Sequence, residues 1–161
     1  MKYVLQIRYK IYSKRPLLQK QDCVEIIVTQ TKGNRQHDNL LVAGSDLDPV
    51  LVKNPRSTAS VAIICEHAGQ NIPIGLNNLG LSQAERDLHI AYDIGAGKVA
   101  TLLSEKLQCA LILQRDSRLV IDCNRAPGSA QSIPSVSDSV VIPQNVHISP
   151  TDRRARESAI F

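Results

Sequence analysis

The sequence contains no Trp, a single Phe, four Tyr and one Met. A core drawn from such a set is aliphatic, built from Val, Ile, Leu and Ala. The scarcity of aromatics also removes the stacking platforms on which single-stranded nucleic acids are bound. No apolar run approaches the roughly 18–20 residues that a membrane span needs. The opening MKYVLQIRYKIYSKRP is basic but alternates apolar and charged residues. It therefore lacks the continuous apolar segment of a signal peptide, and the chain reads as cytoplasmic with no membrane partner. The four cysteines, Cys23, Cys65, Cys109 and Cys123, form no CxxC pair. That spacing argues against a disulfide framework or a zinc knot, and reduced, buried thiols are the expectation.

What is present is ordinary for a globular domain. The 161 residues suit one domain with a real core, and 43% hydrophobic with 21% charged residues is typical. The formal charge of +4 is unevenly placed. Residues 1–39 hold eight Lys or Arg against three Asp or Glu, whereas residues 40–161 hold eleven against twelve. The basicity thus belongs to an N-terminal extension, and a nucleic-acid partner is not expected because the remainder offers no basic face. Two strand-like stretches, 3–12 and 23–31, lie in this extension, followed by the polar break TKGNRQHDN.

The main body, residues 40–161, carries a β-branched run SVAIIC at 60–65 that reads as a buried strand. Glu66-His67-Ala68-Gly69 follows at its C-terminal end. Ser82 with Glu85 forms a capping box, and Leu88, Ala91, Ile94, Val99, Leu102, Leu103 and Leu107 predict one long helix with an apolar stripe, weakened by Gly95 and Gly97. Residues 110–113 and 119–121 read as two more strands. The Pro-, Ser- and Gly-rich stretch 126–150 reads as a surface loop, and a charged helix starts near Thr151. The order predicts an α/β layered domain in which functional groups gather at the C-terminal ends of strands.

Three polar clusters fall at such ends. His67 is placed to bind a divalent metal, or simply to hydrogen-bond at a strand end. His89 and Asp93, four apart on the predicted helix, face one way; they can share a metal, orient one another, or form a solvent-side hydrogen bond. Arg118 and Arg125 present guanidinium forks that match a carboxylate, and Asn124 lies beside them. Asp122 either holds one of these arginines or joins the metal site.

CEHAGQNIP (65–73), HIAYDIGAGKVATLLSEKL (89–107), SRLVIDCNRAPG (117–128) and IPSVSDSVVIPQN (133–145) resemble, in order and spacing, the N-formylglutamate amidohydrolase family. The resemblance covers roughly residues 40–161; residues 1–39 have no counterpart. It implies a three-layer zinc-exopeptidase-like fold with a mixed sheet between helices, incomplete at the C-terminus. It also implies zinc-dependent hydrolysis of a small N-acyl amino acid, such as N-formyl-L-glutamate. By that likeness His67 and Asp93, with His89 more variable, are metal ligands. Arg118, Asn124 and Arg125 grip substrate carboxylates, and Glu66 and Asp122 are the carboxylates for proton transfer. Relatives continue into a further strand that supplies another metal-site histidine, and His147 is no match for it. The alternative expectation is therefore a non-catalytic remnant that binds a carboxylate or a partner. A shortened sheet would also leave an edge open to self-association.

Overall fold

A computed structural model describes residues 48–160. The extension 1–39, its two strand-like stretches, and Phe161 lie outside the described residues. The elements are β1 (Val50–Lys53), β2 (Ala62–Cys65), a 3-10 segment (Ile74–Gly80), α1 (Gln83–Arg86) and α2 (Ala96–Leu107). There follow β3 (Ala110–Gln114), the short pair β4 (Val136–Ser137) and β5 (Val140–Val141), α3 (Pro143–Val146) and α4 (Pro150–Ile160).

β3 is the centre of a mixed three-stranded sheet ordered β1-β3-β2. All five of its residues are buried, as its continuous apolar run requires. β2 pairs with it in parallel, Ile64 opposite Ile112, and β1 pairs antiparallel, Leu51 opposite Leu113. Parallel neighbours need a crossover, and α2 supplies it. An isolated parallel bridge between Asn71 and Asp116 prolongs the pairing beyond the strands. Among the described residues β2 pairs only with β3, so its other side is an open edge.

The long helix expected from Ser82 to Leu107 is two helices. The Ser82–Glu85 capping box forms as the sequence predicts, but α1 ends at Arg86. Tertiary bonds capture the intervening backbone: the Asp93 amide donates to the His67 carbonyl at 3.0 Å, and the Arg118 amide to the Ala91 carbonyl at 3.1 Å. Gly95, left-handed at φ 85°, then starts α2. His89 and Asp93 are consequently not one helical turn apart.

The face that α2 buries also differs from the expected stripe. Ala100 and Ser104 are its buried residues, whereas Val99, Leu102, Leu103 and Leu107 are 64%, 57%, 46% and 50% exposed. The reason is close approach. A Cβ on Gly97 would lie 3.2 Å from the Ala68 carbonyl oxygen, so small residues let the helix settle on Leu111 and Leu113. The larger side chains are turned outward.

Residues 119–121 are not a strand. They form a fully buried turn within the main cluster, which joins Leu119, Val120 and Ile121 to Leu76, Leu79, Ile90, Ile133 and Ile142. The stretch 126–150 is likewise more than a surface loop, because Ser132, Ile133, Ile142 and Asn145 are buried in it. No helix among the described residues is long and apolar enough to cross a membrane.

Candidate active site

The C-terminal end of β2 delivers His67 to the boundary between the two buried clusters, where its side chain is 9% exposed. An imidazole so placed needs partners for both ring nitrogens. Nε2 lies 2.7 Å from Asp122 Oδ1. Asp122 is itself 5% exposed; its amide donates to the Ser132 carbonyl at 2.7 Å, and its Oδ1 accepts from the Asn124 amide at 3.0 Å. Burial pushes the Asp122 pKa up. The hydrogen bonds from His67 and the Asn124 amide, with the charges of His67 and Arg118, outweigh burial and hold it below the ordinary value. An ionised carboxylate only accepts, so Nε2 of His67 carries a proton and donates it.

That assignment decides what Nδ1 can do. It faces Asp93 Oδ2 at 3.4 Å, longer than the 2.7–3.2 Å of an ordinary N–H···O bond. In the neutral tautomer both atoms bear lone pairs, and such a pair calls for a proton or a cation between them. Zinc bonds of roughly 2.0–2.1 Å to nitrogen and oxygen, tetrahedrally disposed, set ligand atoms about 3.3 Å apart. The donor chemistry therefore fits two ligands, His67 Nδ1 and Asp93, with Asp122 orienting the imidazole from behind as metal-bound histidines require. Among the described residues no group of three or more His, Cys, Asp or Glu is arranged to hold a metal ion.

Arg118 closes the cluster. One terminal nitrogen reaches Asp93 Oδ1 at 3.1 Å and the other Asp122 Oδ2 at 3.3 Å, so its fork straddles two protein carboxylates. Arg125, half-exposed, touches only the edge of Asp122, with Nε 3.9 Å from Oδ2. Asn124 is exposed beside it. His67, Asp93, Asp122 and Arg125 thus lie in one cluster, which Arg118 joins.

One expected residue, His89, stands apart from that cluster. His89 is 67% exposed, and its Nε2 lies 3.5 Å from Asp138 in the β4–β5 turn. The break after α1 removes the helical spacing on which its pairing with Asp93 was argued. Glu66, next to His67 in the chain, is exposed, and its carbonyl accepts from Cys123 Sγ at 3.6 Å. Burial, then the charges of Glu66 and Asp122, push the Cys123 thiol up to about 11. Cys65 is raised too, by burial first.

The sequence reading missed the groups that support the cluster. Ser117 Oγ donates to the Ala91 carbonyl at 2.8 Å, joining the Asp93 segment to the Arg118 segment. Asn145 and Arg156 hold the turn between Arg118 and Asp122. None of the three had a sequence signal: a Ser, an Asn in a Pro-rich stretch, and one Arg among several in a charged helix look like surface residues.

This constellation sits on a mixed sheet and combines a carboxylate-held histidine, a second carboxylate and two arginines. The family model described as N-formylglutamate amidohydrolase matches residues 59–161. The chain belongs to that family. Its structure resembles the crystal structure of gene product Atu2144 from Agrobacterium tumefaciens, at 43% identity and a TM-score of 0.69. The match covers 71% of this chain and 45% of that one, so the chain spans less than half the length of its relative. No curated protein matches.

Proposed function

We propose that the chain carries one part of the hydrolytic centre of a metal-dependent amidohydrolase. Its substrate is a small N-acyl amino acid such as N-formyl-L-glutamate, cleaved to L-glutamate and formate in the cytoplasm. The carrying observation is the His67 arrangement: Nε2 committed to Asp122 at 2.7 Å, Nδ1 turned to Asp93 at 3.4 Å. His67 Nδ1 and Asp93 would hold zinc, which when bound supplies Lewis-acid polarisation of the amide carbonyl and of water. Asp122 fixes the tautomer and ring plane of His67. Arg118 keeps Asp93 and Asp122 in register. Arg125, the freer guanidinium, and Asn124 receive a substrate carboxylate, with Arg118 behind them. Glu66, exposed and next to His67 in the chain, is the carboxylate that takes a proton from water and returns it to the leaving nitrogen. The three-stranded sheet belongs, on this reading, to a larger three-layer sheet between helices.

A second reading is favoured by one observation, the absence of a third metal ligand within reach among the described residues. Catalytic zinc ordinarily has three protein ligands. The chain by itself would then bind the dicarboxylate without turning it over. One experiment addresses both readings: calorimetric titration of the 161-residue chain with N-formyl-L-glutamate, with formate release followed in zinc-containing buffer. Binding that weakens in Arg125→Ala is expected, with release near background. Zinc-dependent release abolished by His67→Ala would favour the active enzyme. No binding at all would remove both readings.

A further inference from the structure

α4 carries a buried cation that forms no ion pair among the described residues, although the Asp152 charge one turn earlier favours its charged form. Arg156 is 2% exposed, its Nε has no hydrogen-bond partner among the described residues, and burial lowers its pKa to about 10. Its hydrogen bonds go to neutral acceptors distant in sequence. Nη1 donates to the Val120 carbonyl at 3.2 Å and to Asn145 Oδ1 at 2.8 Å. Asn145, 3% exposed, passes the constraint on, its Nδ2 donating to the Leu119 carbonyl at 2.9 Å and the Pro134 carbonyl at 2.8 Å. Two consecutive carbonyls of one turn, 119 and 120, are therefore held by the same pair of side chains.

That turn joins Arg118 to Asp122. Its ends are pinned independently: the Arg118 amide on Ala91, and the Asp122 amide on Ser132. α4 also reaches the second anchor, because Arg153 Nη1 lies 3.3 Å from Ser132 Oγ and 3.2 Å from the Ser129 carbonyl. Glu157 accepts from the Gly128 amide at 2.9 Å. An apolar side chain would fill the Arg156 site without the cost of a desolvated charge. What it would not do is fix two carbonyl directions at once.

We infer that Arg156, acting with Asn145, is a positioning residue for the hydrolytic centre. It sets the 118–122 turn so that the Arg118 fork and the Asp122 carboxylate meet His67 and Asp93. The inference rests on the reading of that cluster as the amidohydrolase site. Arg156 touches neither substrate nor metal; it acts through the turn.

The test uses the full chain with Arg156→Met and Arg156→Lys, read by residue-resolved amide exchange and by titration with N-formyl-L-glutamate. In Arg156→Met the Val120 and Asp122 amides should exchange about tenfold faster, the scale of one lost hydrogen bond from a charged donor, while Ile112 and Leu113 in β3 keep their protection. Affinity for N-formyl-L-glutamate should fall by a similar factor, and Arg156→Lys, which retains one donor, should recover part of both. Unchanged exchange at 120 and 122 in the folded variant overturns the inference, as does acceleration spread evenly over the sheet. If Arg156→Met does not fold, Arg156→Lys decides alone by the same local comparison. If the wild-type chain binds no N-formyl-L-glutamate, the functional reading fails, and exchange still decides whether Arg156 sets the turn.

Discussion

Removing the Asp122 carboxylate should be among the most damaging single changes in this structure. Asp122→Ala deletes the acceptor of His67 Nε2 at 2.7 Å, of the Asn124 amide at 3.0 Å and of Arg118 at 3.3 Å. Hydrogen bonds to a charged group contribute roughly 1.5–3 kcal/mol each, and the deeply buried imidazole would be left with an unsatisfied nitrogen. Arg118 is partly exposed and can turn to water, so its share is discounted. The expected loss is about 3–5 kcal/mol, the range for breaking a buried pair from one side, out of a net stability on the order of 5–15 kcal/mol. Asp122→Asn should lose about half as much, since the amide oxygen can still accept from Asn124 while its NH2 group opposes Arg118. Urea unfolding followed by circular dichroism measures both. A loss below about 0.5 kcal/mol for Asp122→Ala, the scale of ordinary surface changes, would show that the His67–Asp122 contact does not organise the site.

Asp116 makes a prediction of opposite sign. Burial raises its pKa despite the Asn71 hydrogen bond and the nearby Arg115, so its folded value lies above its unfolded one. The penalty it imposes is absent below the unfolded value and grows as pH rises through the folded value. Asp116→Asn should therefore stabilise the chain at pH 7 and not near pH 3; equal effects at both would refute this. Gly69→Ala should be strongly destabilising, by about 1–3 kcal/mol or more, because its Cβ would collide with the backbone of Arg115; an unchanged melting temperature counts against that packing. The outward apolar residues of α2 should drive self-association, so Val99→Lys with Leu102→Glu should lower the sedimentation-average mass without loss of melting temperature. An association unaffected by these changes would shift attention to the open edge of β2.

Where the sequence was readable, one local rule dominated. The strand at 110–114 is recognisable because buried strands are continuous β-branched and aliphatic segments; the run ending at Cys65 does form a strand, but at the edge of the sheet and only partly buried, not as the buried strand its composition predicts. The Ser82–Glu85 capping box was readable because cap and partner lie three residues apart. That His67 and the segment 122–125 lie near one another followed from their expected place after strands, and the inclusion of Asp93 from family resemblance. Elsewhere tertiary contacts overrode local pattern. Apolar spacing over 88–107 is compatible with one helix, yet backbone bonds from Asp93 to His67 and from Arg118 to Ala91 cost it a turn in the middle. The Val99–Leu107 stripe has helical periodicity but faces out, since periodicity identifies a helix face without saying which face meets the sheet. Leu119, Val120 and Ile121 look like a strand because a fully buried turn has the same composition. Arg156 and Asn145 were invisible because their role lies in two backbone carbonyls 36 and 26 residues away in sequence.

His67 Nδ1 faces Asp93 and its Nε2 is held by Asp122, and the proposed metal site rests on that pair. The direct measurement is calorimetric zinc titration of the 161-residue chain beside His67→Ala, Asp93→Asn and His89→Ala. Two ligands predict weak but measurable binding that falls by at least about 10–100-fold in the first two variants and is unchanged in His89→Ala. Zinc held equally well by His67→Ala, or lost in His89→Ala alone, would contradict the site described here.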